Sequence, residues 1–344
     1  MDGIQKGRFN RITMKYKNKT REIKMKIKQC IFGAAVSAIS ISASLPMMAA
    51  APESDETIKI MTADWTSIGL QGEIISLVLQ TVGYNTKLVV ADDSGRYPGF
   101  ENGDLHISME TWQTTQLKNL EKSVATGKVI DMGETGLKGV EDWWYPIYMK
   151  KRCPGLPDWN ALKACAEVFA TADTSPKGRY VGGPVSWGDH DERMIEALDL
   201  PFEVVHPGTD AAMFAELRSA YEREAPVILW VWQPHWVTSV YEGEYVQFPK
   251  FEVGCFDDPS WGPNPNATFD CGKPYGWIKK MAWAGGEKIW PCAYEIVRNY
   301  EMDNATIAAL LVEIDLEGRS ATDVAKEWLM TNESTWKGWA ACGL

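Results

Sequence analysis

The sequence predicts an α/β fold with a largely parallel sheet, and three observations carry it. Short apolar runs alternate with helix-period segments through the first half of the chain. Tryptophans follow directly on the ends of several of those runs, where open α/β sheets place their ligands. The length of 344 residues is sufficient for two lobes, each with its own core.

The first 51 residues stand apart from that pattern. Lys24, Lys26 and Lys28 form a basic stretch, Cys30 to Leu45 an apolar one, and Met47-Met48-Ala49-Ala50-Ala51 offers small residues for cleavage. Residues 1–51 read as an export signal, with Met25 as a second candidate start; the apolar run is too short for a membrane span. Cys30 begins the run rather than ending it, so no lipid anchor is expected, and the expected destination is a bacterial periplasm.

Thr57 to Thr62 is the first expected strand, leading into Ala63-Asp64-Trp65-Thr66-Ser67. Ile68, Ile75, Leu77, Val78, Leu79 and Val82 mark a helix stopped by Gly83. Thr86 to Ala91 is a strand, Ser94-Gly95-Arg96-Tyr97-Pro98 a turn-rich segment, and Leu105 to Met109 a strand that delivers Glu110-Thr111-Trp112. A helix over 113–125 precedes the extended aromatic segment Glu141-Asp142-Trp143-Trp144-Tyr145-Pro146-Ile147-Tyr148. Strand alternation puts Glu141, Trp143 and Tyr145 on one face of it.

The second half continues with a helix over 158–170, a strand from Tyr180 to Ser186 ending at Trp187-Gly188-Asp189, a strand over 202–205 and an amphipathic helix over 210–224. Pro226-Val227-Ile228-Leu229 then runs as a buried strand into Trp230-Val231-Trp232-Gln233-Pro234-His235-Trp236, with Trp230 and Trp232 on one side and Val231 on the other. Residues 248–273 are loop-like, and helices return over 291–300, 304–315, 321–329 and 332–341.

Removal of residues 1–51 takes ten of the 35 Lys and Arg and two of the 46 Asp and Glu, leaving 25 against 44, a balance near −19. Such a chain is a poor ligand for nucleic acid or anionic membranes. Cys30 leaves with the signal. Six cysteines remain, and in an oxidising compartment they imply disulfides, with fifteen connectivities formally open. Proximity favours Cys153 with Cys165 and Cys255 with Cys271, leaving Cys292 for Cys342. No Cys-x-x-Cys or His-x-x-x-His spacing occurs, and the acidic loop at Asp257, Asp258, Asn264, Asn266 and Asp270 lacks calcium-loop spacing, so neither a metal nor a cofactor is expected.

Trp65, Trp112, Trp143 with Trp144, and Trp232 are far apart in sequence, yet an α/β fold brings such positions to one crevice. Several indole faces around a small space bind an alkylated ammonium by cation–π attraction, about 0.5 to 2 kcal/mol per ring. Asp64-Trp65-Thr66, Glu110-Thr111-Trp112, Trp143-Trp144-Tyr145-Pro146 and Trp232-Gln233-Pro234-His235-Trp236 resemble the signature segments of the substrate-binding proteins of glycine betaine, choline and related ABC importers. The resemblance spans residues 52–344 and implies a two-lobed type II periplasmic binding protein fold with the ligand in the interlobe cleft.

By that resemblance Trp65, Trp112 and Trp232 match box positions, Trp143 or Trp144 matches a fourth, and Glu141, His235 or backbone amides meet the anionic end of the ligand. Ser67 stands where choline-type members carry an Asp, which counts against choline. Glu141-x-Trp143-Trp144 resembles the trimethylamine N-oxide binders, and Trp-x-Pro-His the betaine binders. The implied partners are a small methylated ammonium ligand (glycine betaine, proline betaine, choline or trimethylamine N-oxide) and the membrane permease of an ABC importer; the protein is expected to be a monomer. Lobe 1 is expected over 57–142 and 248–344, and lobe 2 over 143–246.

Two other classes compete. A hydrolase needs a nucleophile with a base, and neither Gly-x-Ser-x-Gly nor His-Glu-x-x-His is present among four histidines. A carbohydrate-binding protein would use the same tryptophans for stacking, but needs convergent polar partners that the flanking segments scarcely offer.

Overall fold

The computed structural model describes residues 52–344, so the export signal expected over residues 1–51 lies outside the described residues. Strand β1 (Ile58–Thr62) is buried through Ile58, Ile60 and Met61 and leads into helix α1 (Thr66–Thr81). The α1 face carrying Ile68, Ile74, Ile75, Val78 and Leu79 is fully buried, and Gly83 ends the turn at a φ of 100° that only glycine adopts without strain. Strand β2 (Thr86–Val90) pairs with β1 in parallel, and β3 (Ile107–Trp112) pairs on the other side of β1, also in parallel. This is the βαβ arrangement that the alternating pattern implies.

Between β2 and β3 the sequence suggests turns, but the chain forms helix α2 (Asp93–Asn102). Its residues are weak helix formers and include Pro98, so propensity argues against it. Capping and burial decide otherwise. The Asp92 carboxylate accepts from Gly95 N at 2.8 Å, Gly103 closes the end at φ 78°, and Arg96 and Phe100 are buried. Helix α3 (Gln113–Ala125) then starts directly after Trp112.

Strand β4 (Val129–Pro146) is longer than the aromatic segment foreseen and joins the two ends of the sheet. Its first part pairs antiparallel with β9 (Gly276–Trp283), and its last part pairs antiparallel with β7 (Leu229–Gln233) and β8 (Gly243–Tyr245). The register on β9 shifts twice, between Asp131 and Glu134 and again before Lys138. Gly136 sits at that bend with φ 86°, and a Cβ there would come within 2.6 Å of the Met302 carbonyl oxygen. Strand β9 was not foreseen because Lys279 and Lys280 break its apolar run. Lys280 is nonetheless buried, its ammonium donating to the carbonyls of Arg298 and Tyr300, both at 2.8 Å, and burial lowers its pKa to about 8.

The second half adds α4 (Trp159–Ala164), β5 (Gly178–Val181), α5 (His190–Ala197), β6 (Phe202–Val205), α6 (Asp210–Arg223) and the short α7 (Val237–Val240). The helix expected over 158–170 breaks at Cys165 into α4 and a 3-10 turn. The strand expected to Ser186 stops at Val181, and a 3-10 turn over Val185–Trp187 follows. Strands β5 and β6 pair in parallel, and the whole sheet runs β2-β1-β3-β9-β4-β7-β5-β6, with β8 beside β4. After β9 come α8 (Gly286–Ile289), α9 (Pro291–Asn299), α10 (Asn304–Asp315), α11 (Ala321–Thr331) and α12 (Glu333–Trp339). Asp303 and Ser320 cap α10 and α11 by accepting from Thr306 N and Asp323 N.

Disulfides join Cys153 to Cys165, Cys255 to Cys271 and Cys292 to Cys342. The third closes a separation of 50 residues and fastens the C-terminal tail to α9. Loop-closure entropy assigns such a crosslink about 4 kcal/mol. The Cys292→Ser/Cys342→Ser double variant should therefore show a lower urea midpoint by tryptophan fluorescence. An unchanged midpoint would mean that the buried Trp336 and Trp339 hold the tail without the crosslink.

Candidate functional site

Trp65 is the residue that caps α1, and Trp112 ends β3 and precedes α3, so both indoles leave the sheet at strand ends. One carboxylate orients the pair. Oε2 of Glu110 accepts from the Trp65 indole at 2.6 Å and from the Trp112 indole at 3.0 Å. Oε1 accepts from Gln71, which in turn accepts from the Tyr300 hydroxyl at 3.0 Å. Glu110 is fully buried, and burial raises its pKa against the pull of the hydrogen bonds from Trp65, Ser67, Trp112 and Gln71.

From the other half, β7 brings Trp230 and Trp232, and the turn after β5 brings Trp187. Trp187 meets Trp65, Trp230 and Trp232 edge-on, with ring centroids 5.8, 5.5 and 5.3 Å away. Its indole donates to Asp64 Oδ1 at 3.0 Å. These five tryptophans line one cavity with Glu141, Asp93, Arg96, Thr115 and Gln116, enclosing about 380 Å³ of empty space, the mouth included.

Glu141 pairs with Trp232 across the β4–β7 ladder and accepts from Thr114. Burial raises the Glu141 carboxyl, opposed by the nearby Lys273 ammonium and by Thr114 and Thr115. Burial thus favours the protonated form of this group. Behind the cavity, the Lys273 ammonium lies 3.5 Å from the Trp230 ring centroid and 3.0 Å from Asp191 Oδ1, with both side chains buried.

Of the residues singled out in the sequence, Trp65, Trp112, Trp232 and Glu141 line the cavity. Trp143 and Trp144 do not. Trp143 shares the face of Glu141 and pairs with Trp230, but it lies two residues further along β4. There it stacks on Tyr180 at 3.8 Å and donates to Asp191 at 3.0 Å. Trp144 is buried against Gly243 on the other side. His235 is also away from the cavity, stacked on Phe214 at 4.5 Å, its Nδ1 accepting from Val237 N at 3.3 Å. Burial lowers its pKa to about 3, so the ring is neutral.

Sequence reasoning left Trp187, Trp230, Asp93, Arg96, Thr115 and Gln116 out of the site, although it put Trp230 on the same face as Trp232. Trp187 carried a readable signal, an indole just past an apolar run. Asp93 and Arg96 carried none, since their helix was not foreseen. Among the described residues no cluster of His, Cys, Asp and Glu is placed to hold a metal ion, and no helix is long and apolar enough to cross a membrane.

A two-ended α/β sheet with a tryptophan-lined cavity defines a binding protein of the type II periplasmic class. The chain belongs to the family described as the substrate-binding domain of ABC-type glycine betaine transport systems, matched over residues 56–331. It is 31% identical over 293 residues to the trimethylamine N-oxide-binding protein of Pelagibacter ubique (strain HTCC1062), covering 83% of this chain and 91% of that one. Solved structures share its fold, two of them as follows. An ABC-transporter choline-binding protein in complex with choline superposes with a TM-score of 0.67 at 18% identity, covering 84% of this chain and 93% of that one. Lactococcal OpuAC, closed on glycine betaine, gives 0.64 at 17% identity, covering 83% and 99%. The protein is therefore a substrate-binding protein of an ABC transport system, not an enzyme.

Asp142, next to Glu141, yields a pH test. Burial raises its pKa from 3.8 to about 7 despite Lys273 nearby. Between those values the folded state binds more protons than the unfolded one, so this group's contribution makes stability fall as pH rises from about 4 to about 7. Urea unfolding of wild type and Asp142→Asn should show the variant gaining on wild type across that window. A difference that stays constant with pH would refute it.

Proposed function

We propose that the protein captures a small methylated ammonium compound bearing an anionic oxygen, trimethylamine N-oxide before glycine betaine, and delivers it to the permease of an ABC importer. The observation that carries this reading is the cavity itself, with five indoles around a buried carboxyl whose pKa is raised. Indole faces attract the methylated nitrogen without a formal counter-charge. A protonated Glu141 can donate to the oxygen of an N-oxide, whereas a carboxylate ligand gains less from it. The relative named for trimethylamine N-oxide supports the same order.

Residues 1–51 act in this reading as the export signal to a periplasm. Lobe 1 comprises 57–142 and 248–344, and lobe 2 comprises 143–246. Trp65 and Trp112 belong to the first, Trp187, Trp230 and Trp232 to the second, and a ligand touching both stabilises the closed form. Trp143 and His235 support the cage from behind. In this reading the protein acts as a monomer.

Calorimetry against trimethylamine N-oxide, glycine betaine, choline and maltose tests this. Heat is expected with the first two; heat with maltose alone would overturn the reading. Trp232→Ala should weaken binding about ten- to thirtyfold, since one cage wall is worth about 1.5 to 2 kcal/mol, and Trp232→Phe should cost less. Glu141→Gln should weaken trimethylamine N-oxide by about tenfold and leave glycine betaine unchanged or tighter.

A further inference from the structure

We propose that Arg96 is a specificity-determining residue that grips the anionic oxygen of the ligand and turns away methylated cations that lack one. The inference rests on the ammonium-cage reading and adds a second half to it. Arg96 stands on α2, is fully buried and lines the same cavity, its guanidinium carbon 5.7 Å from the Trp65 ring centroid. Asp93, one turn earlier, comes within 3.3 Å of Nε. Even so, Nε, Nη1 and Nη2 all lack a hydrogen-bond partner among the described residues.

A guanidinium offers five N–H donors in a rigid fork and remains charged. Burying it with the Asp93 ion pair beside Nε and no well-aligned hydrogen bond among the described residues is costly. Asp93 offsets only part of that charge. Its Oδ2 already accepts from Gln116 Nε2 at 2.9 Å, and burial raises its carboxyl despite the adjacent Arg96. An unfilled fork beside a cage for methylated nitrogen suits one ligand class: a trimethylammonium head with an oxygen anion attached.

An N-oxide presents one oxygen to the fork, and a betaine presents two in the bidentate geometry that guanidinium matches. Tetramethylammonium presents none and brings a second positive charge into a dry cavity. There like charges repel more strongly than in water. Discrimination thus comes from a repulsive element as well as an attractive one. The cage recognises the methyl groups, and Arg96 recognises what is attached to them.

The test is calorimetry on the full exported protein, wild type and Arg96→Met, with trimethylamine N-oxide, glycine betaine and tetramethylammonium. The affinity for the two oxygen-bearing ligands relative to tetramethylammonium should fall about thirtyfold or more in Arg96→Met. Arg96→Lys, which keeps the charge and loses the fork, should recover part of that ratio. It also carries the test, by a smaller drop in the same ratio, should Arg96→Met fail to fold by circular dichroism. An equal loss for all three ligands would make Arg96 a packing residue and overturn the proposal while leaving the cage intact. An unchanged ratio would overturn it as well. If wild type binds none of the three, the cage reading falls and the proposal with it.

Discussion

The Glu110 carboxylate is the constraint on which the cavity depends. One of its oxygens accepts from two indoles that leave neighbouring strand ends, so Trp65 and Trp112 are held by their N–H edges and present their faces. An indole has a single donor, and fixing it removes the rotation that would otherwise blur a cage wall. The carboxylate is in turn fixed through Gln71 by Tyr300, at the far end of α9. The placement of both indoles is therefore fixed by a hydrogen-bond chain that runs back from the cavity into the core.

The second half solves the same problem by different means. Trp230 and Trp232 are held by their backbone register on β4, and Trp187 by edge contacts with both. Trp230 has no hydrogen-bond partner for its indole nitrogen among the described residues, and one of its faces already carries the Lys273 ammonium. Lys273 follows Cys271 by two residues, so the Cys255–Cys271 crosslink and the Asp191 ion pair together fix that cation. Asp191 also takes the Trp143 indole, which explains why a tryptophan on the cage face of β4 lies outside the cage.

Much of the fold was legible because it rests on local signals. Apolar runs ended by glycine or proline read as strands and helices, and the alternation of the two implied a parallel sheet; that holds for β1 with β2 and β3 and for β5 with β6 and β7, whereas β4 and β9 run antiparallel to every strand they pair with, so the sheet is mixed. Elements escaped where packing overrode those signals. Helix α2 is built from poor helix formers but anchored by buried Arg96 and Phe100, and β9 carries a lysine whose charge is satisfied by two backbone carbonyls. Helix 158–170 and the strand to Ser186 were read too long, because their breaks at Cys165 and Val181 are set by a disulfide and by the following turn.

The sequence by itself determined the α/β class, the family and the placement of indoles after strand ends, because these follow from periodicity and from the tryptophan-bearing motifs. Only the tertiary structure decided which indoles share a cavity. Strand alternation tells the face of a side chain but not its depth along the strand, so Trp143 and Trp230 could not be ranked by pattern. Trp187 reaches the cavity through a turn whose geometry no period describes. Arg96 lines it from helix α2, whose weak helix formers give no periodic signal, so pattern alone does not place it there.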